Sequence, residues 1–180
     1  RFSSIAAAAL AAVVLAGDRT KADSLIDYSD VSCKALIDIA GVPMVRRVLS
    51  ALRESKLVSR VVLAGPEADE VKLDKPLDDM IASKEIDWRA PDKSPGTSAF
   101  QTMQSLDPDT PVLLTTADHP LLTREIVDAF GRQSLADDVD VAIGLAPHGL
   151  IKEAYPRIKK TVLRFSDGDF CGCNLYAFLT

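Results

Sequence analysis

Four short apolar runs, at residues 11–15, 60–64, 112–115 and 140–145, constrain this chain more than any other feature. Runs of that length and β-rich composition belong to strands buried on both faces. Helical patterns lie between the first three runs and before the fourth. Strands that alternate with helices build a mostly parallel sheet with helices on its faces. The first helical pattern begins near Pro43, and Met44, Val45, Val48, Leu49 and Leu52 make one apolar stripe on it. A second, over 98–106, places Ala99, Met103 and Leu106 on one side. A third follows Thr123 as N-cap, with Glu125 in its first turn and Ile126, Val127 and Phe130 expected to face inward. Near the end, residues 161–165 and 173–178 flank Ser166, Asp167, Gly168 and Asp169, a polar cluster suited to a hairpin turn. The expected fold is α/β: a three-layer α/β/α domain whose mixed, mainly parallel sheet gains one antiparallel strand from this late hairpin.

At 180 residues, 47% of them hydrophobic, the chain supports one substantial core, so residues 1–180 read as a single domain. A formal charge of −5 without a dense Lys/Arg tract argues against a nucleic-acid surface, although a few local cations still dominate a cleft for a small anion. Cys33, Cys171 and Cys173 lack the spacing of a zinc site and read as reduced structural thiols of a cytoplasmic protein. Arg1 followed by residues 5–17 imitates a secretory signal. That stretch is too short to span a bilayer and runs straight into a Gly-led loop, so it is read as ending in the first strand, with no membrane partner. The chain starts without Met and stops at Thr180 inside an apolar segment, and trimming at either end is expected.

Two segments carry chemistry. Leu15-Ala16-Gly17-Asp18-Arg19 leaves the first strand and opens a polar loop that closes at Cys33-Lys34-Ala35-Leu36. A Gly-led turn at the carboxyl end of a first strand lets backbone N–H groups approach phosphate, with Arg19, Lys21 and Lys34 as the available cations. An ordinary solvated connection has the same composition, and neither GxGxxG nor GxxxxGKS is present. The second segment is Val112-Leu113-Leu114-Thr115-Thr116-Ala117-Asp118-His119-Pro120, a buried strand ending in a carboxylate. Ligands of open α/β sheets gather at the carboxyl ends of strands, where an Asp holds Mg²⁺ bridged to phosphate oxygens or merely caps the next turn.

Taken together, several pieces resemble the MobA-like NTP transferases, a family that includes molybdenum cofactor guanylyl- and cytidylyltransferases. They are Leu15-Ala16-Gly17, then KALIDIAGVPMVRRVLSAL over 34–52, then Pro95-Gly96-Thr97-Ser98, then TTADHPLLT over 115–123. Their order and spacing run over essentially the whole chain. The resemblance implies a Rossmann-like, GT-A type nucleotidyltransferase fold and an Mg²⁺-dependent transfer of a nucleoside monophosphate from an NTP to a small phosphorylated acceptor. It implies that Lys34 contacts the NTP phosphates, that Asp118 binds Mg²⁺ and that Leu15, Ala16, Gly17 and Arg19 wrap the triphosphate. Gly96 and Ser98 would meet base and ribose. Asn174 is either a second metal ligand, as in related sugar-phosphate nucleotidyltransferases, or a buried turn amide. The chain departs from the family at Asp18, where a second Gly is usual, and a carboxylate there repels triphosphate unless it is turned away or neutralised.

In the implied reaction an ionised acceptor phosphate attacks the α-phosphorus and expels pyrophosphate, so positioning and charge neutralisation do most of the catalysis and no general base is required. Two other readings stay open at this level: a nucleotide-binding regulatory protein that has lost turnover, suggested by Asp18, and a GT-A type glycosyltransferase using a nucleotide sugar. The chain is expected to act as a monomer or homodimer. The acceptor pocket is expected over 147–160, where His148, Lys152, Arg157, Lys159 and Lys160 either bind an acidic acceptor or form a solvated face.

Overall fold

The computed structural model describes residues 9–17 and 31–179. In chain order its elements are β1 (Leu10–Leu15), a 3-10 turn (Lys34–Leu36), β2 (Asp38–Ile39), β3 (Val42–Pro43), α1 (Met44–Glu54), β4 (Val58–Ala64), α2 (Ala68–Val71) and α3 (Lys75–Ala82). They continue with β5 (Asp87–Arg89), α4 (Pro95–Met103), β6 (Val112–Thr116), α5 (Arg124–Ala136), β7 (Val141–Pro147), α6 (His148–Ala154), β8 (Leu163–Phe165) and β9 (Gly168–Phe178).

The apolar first run becomes the central strand because it has neighbours on both edges and helices on both faces. Residues Leu10 to Val14 are at most 1% exposed. The main sheet runs β5-β4-β1-β6-β9-β7, with β8 also paired to β9. Parallel pairings join β1 to β4, β1 to β6 and β4 to β5, whereas β9 is antiparallel to β6, β7 and β8. It follows that β9 alone is reversed among the described strands of this sheet, as the tail hairpin predicts.

Alternate residues of each strand feed the two outer layers. Leu10, Ala12, Val14 and Leu63 pack with Val45, Val48, Leu49 and Leu52 of α1, Leu77 of α3 and Val127 of α5. Ala11, Val13, Val62 and Leu114 pack on the opposite face with Ala99 of α4 and with Leu106. Burying the α1 stripe contributes about 1.5–3 kcal/mol per large side chain relative to exposure. No helix of the described residues is long and apolar enough to cross a membrane.

Several boundaries differ from the sequence expectation for local reasons. Helix α4 begins at Pro95, not at 98, because Ser94 caps it by accepting from the Thr97 N–H and Pro95 suits the first turn. The helix ends at Met103, and Leu106 is buried from the turn that follows. On α5 the inward stripe is Val127, Gly131 and Ser134; Ile126, expected inside, lies off that stripe and is 42% exposed. Strand β9 starts at Gly168, five residues before the expected 173, because a bulge lets it continue past Asn174.

Candidate active site

Chain order sets the position of the site. From β1 the chain crosses to β4 and β5 on one side, then returns to place β6 against the other edge of β1. The carboxyl ends of β1 and β6 therefore flank the point where strand order reverses, the usual ligand crevice of such a sheet. The Ala117 N–H donates to the Leu15 carbonyl at 2.9 Å, tying the two strand ends together.

Asp118 emerges from β6 at this edge. Its Oδ2 accepts from Lys34 Nζ at 2.7 Å, an ion pair formed across 84 residues of sequence. Its Oδ1 accepts from Thr116 Oγ1 at 2.6 Å. Lys34 reaches the site from the 3-10 turn, which Ala35 and Leu36 anchor in the core. Burial pushes the Asp118 carboxyl up, but the hydrogen bonds from Lys34 and Thr116 and the Lys34 charge outweigh it and hold the group below its ordinary value. The carboxylate is thus ionised and fixed at the sheet edge.

Asn174 approaches from the reversed strand. The last β6–β9 pair is Thr115 with Leu175, so Asn174 lies one step further along β9, level with the Thr116 that holds Asp118. Its φ of +53° and the register shift between β7 and β9 mark a bulge, which re-aims a side chain at a sheet edge. On the other side of Asp118, His119 is half-buried and its Nδ1 has no hydrogen-bond partner among the described residues. Burial lowers the affinity of His119 for a proton, and the charge of Lys160 lowers it further. Lys160, whose Nζ donates to the Gly172 carbonyl at 3.4 Å, therefore stands near the same edge. Of the 147–160 stretch, His148 and Lys152 are taken up in α6.

Beside β1 a cavity of about 250 Å³ is lined by Leu15, Gly17, Ala64, Asp92, Ser94 and Ser98, among others. Its wall is held by the Asp92 N–H donating to Ser98 Oγ at 2.8 Å. Of the residues singled out in the sequence, Leu15, Gly17 and Ser98 line this cavity. Ala16 is buried in the core and Gly96 sits on the exposed first turn of α4, so neither forms its wall. Arg19, Lys21 and Asp18 lie outside the described residues. Sequence reasoning passed over Thr116, Asp92 and Gly65. Gly65 has φ +88°, and a Cβ there would stand 2.8 Å from the Gly17 backbone nitrogen. The Gly-Pro pair directly after the second apolar run was the signal for it.

A sheet with one reversed strand, whose cavity and Lys–Asp pair share the carboxyl edge at the switch point, is a Rossmann-like nucleotidyltransferase fold of GT-A type. A sequence model of the MobA-like NTP transferase domain matches residues 12–152, and the chain belongs to that family. A solved structure described as a hypothetical transferase from Thermus thermophilus is similar, with 26% identity and a TM-score of 0.69 over 94% of this chain. The chain spans 65% of that structure's length. CMP:2-keto-3-deoxy-manno-octonic acid synthetase complexed with CTP shares the fold at 15% identity and TM-score 0.61, covering 95% of this chain and 73% of its own. So does 4-diphosphocytidyl-2C-methyl-D-erythritol synthase from Anaerococcus prevotii, at 13% identity and TM-score 0.62, covering 94% and 70%. No curated protein sequence matches the chain significantly.

Proposed function

We propose that this domain transfers a nucleoside monophosphate from an NTP to a small phosphorylated acceptor and releases pyrophosphate. The observation that carries the reading is the Lys34–Asp118 pair at the switch point, within one sheet edge of a base-sized cavity. Family membership supports NTP as the donor.

Among the described residues no three His, Cys, Asp or Glu side chains converge on a metal position. Mg²⁺ keeps several waters and takes one or two protein ligands besides substrate phosphates, so one ionised carboxylate with a neighbouring oxygen ligand suits it. Asp118, ionised and with a side chain about a third exposed, would hold it, with the Asn174 amide oxygen beside it. When bound, the ion would supply charge neutralisation to the reacting phosphates. Lys34, already drawn to this carboxylate, neutralises charge on the triphosphate as it moves toward the leaving pyrophosphate. Leu15, Gly17 and Ser98 position the nucleoside. An oxygen of the acceptor phosphate forms the new bond to the α-phosphorus while the bond to the bridging oxygen breaks, and no proton need move. Lys160 and His119, on the far side of Asp118 from the cavity, offer the acceptor a cation and a neutral imidazole.

The test is a pyrophosphate-release assay with each of the four NTPs, Mg²⁺ and a panel of phosphorylated metabolites. Release that requires one NTP, one acceptor and Mg²⁺ supports the reading. Tight NTP binding with no release under any acceptor would replace it with a regulatory role.

A further inference from the structure

A second concavity, of about 720 Å³, opens on the α1 side of the sheet between that helix and the connection from β6 to α5. None of its lining residues lines the cavity beside β1. Its volume falls within the range of about 300–1,000 Å³ common for small-molecule sites. Its walls carry Arg46, Arg47, Arg53 and Arg124 against two carboxylates, Glu54 and Glu125, on a chain whose formal charge is −5. Guanidinium groups gathered in one concavity can hold an anion where a carboxylate does not already neutralise them.

The four arginines are not equivalent. Arg53 pairs with Glu85, and Arg124 lies 3.6 Å from Glu125 and 3.9 Å from Asp128. Arg46 reaches Asp74 only at 3.6 Å. Arg47 has no carboxylate partner among the described residues. Its Nε and Nη2 both donate to the Ile39 carbonyl, at 3.1 and 2.5 Å, which fixes the guanidinium plane and leaves its charge uncompensated although the side chain is half-buried. A held, partly desolvated guanidinium with donors to spare is suited to a phosphate or carboxylate. Helix stability does not explain it, because Arg46 and Arg47 stand in the first turn of α1, where the helix dipole disfavours cations. The lining also has an apolar part, Val42, Met80, Pro120 and Leu121, the last 72% exposed.

We infer that this cleft is a second binding site, for a small organic anion whose charged group meets Arg46 and Arg47 and whose apolar body lies against Met80 and Leu121. It is separate from the transfer site, although Pro120 and Leu121 belong to the loop that begins at Asp118.

The probe is 1-naphthyl phosphate, with uncharged 1-naphthol as control, followed by amide chemical shifts of the whole chain. Saturable shifts at residues 42–50 and 120–125 with the phosphate, and none with the naphthol, are expected. Arg46→Gln/Arg47→Gln should weaken the phosphate at least tenfold. Leu121→Glu, an exposed change that leaves the arginines and the fold in place, should weaken it too by setting a carboxylate on the apolar wall. Shifts confined to Lys34 and Asp118, unchanged affinity in both variants, or no saturable binding would each overturn the inference.

Discussion

At the scale of single residues, the Lys34–Asp118–Thr116 cluster is a balance between burial and charge. Burial alone pushes the Asp118 carboxyl above its ordinary value, and Lys34 and Thr116 reverse the sign. Lys34→Met removes the larger part of the reversal and leaves the burial, so Asp118 should titrate higher than in the native protein. A carbon-detected NMR titration of its carboxyl reads this directly, and an unchanged midpoint would mean that the pair does not form in solution. Because the native midpoint is depressed, any stability from the pair is complete above the ordinary carboxylate value and is lost as pH falls through the depressed one. That contribution is small, since both side chains are about a quarter to a third exposed and such pairs contribute roughly 0–1 kcal/mol. Asp118→Asn should therefore keep the fold. In the pyrophosphate-release assay it should raise the Mg²⁺ requirement sharply, because an amide oxygen carries only a partial charge for a hard dication. A folded variant with the native Mg²⁺ titration would remove Asp118 from the mechanism.

At the scale of elements, the bulge in β9 and the turn after β4 hold the two flanks of the site. Asn174 adopts the left-handed conformation that Asn tolerates and Gly adopts freely. Asn174→Gly should keep thermal stability while weakening the Mg²⁺ response, whereas Asn174→Ala should lose about 1 kcal/mol as well. If the Gly variant showed native Mg²⁺ dependence, Asn174 would be the turn amide and not a ligand. Gly65→Ala is more severe. The positive φ costs about 1–2 kcal/mol, and the new Cβ presses on the Gly17 backbone, so denaturant unfolding and NTP affinity should fall together. The sequence displayed some of these elements and hid others for physical reasons. Strands β1 and β6 were legible because strands covered on both faces are continuously apolar. Strand β5, three half-buried residues, is too short to show any period, and α2 and α3 bury few side chains. The 84-residue contact between Lys34 and Asp118 has no local signal: the loop and the strand end pointed to each residue separately, and only the family resemblance implied one site for both. Thr116, although inside the quoted segment, was given no role of its own because a threonine at the end of a buried strand reads as packing.

At the scale of the molecule, the site is assembled from the carboxyl ends of β1, β4 and β6 and from loops that touch one another across the switch point. No single element contains it. A ligand held there by several of these segments should stabilise the whole fold, since unfolding any of them abolishes the site. At an NTP concentration one hundred times the dissociation constant the gain is about 2.7 kcal/mol. For a domain of this size that corresponds to a rise in Tm of roughly 5–10 °C. The rise should appear with one NTP, require Mg²⁺ and vanish in Asp118→Asn, whereas the Arg46→Gln/Arg47→Gln variant should retain it because those arginines line the other concavity. Differential scanning fluorimetry across the four NTPs, with and without Mg²⁺, separates the two sites in one experiment. Equal shifts from all four nucleotides without metal would show that charge alone is being read, and the nucleotide-transfer reading of the sheet edge would fail with it.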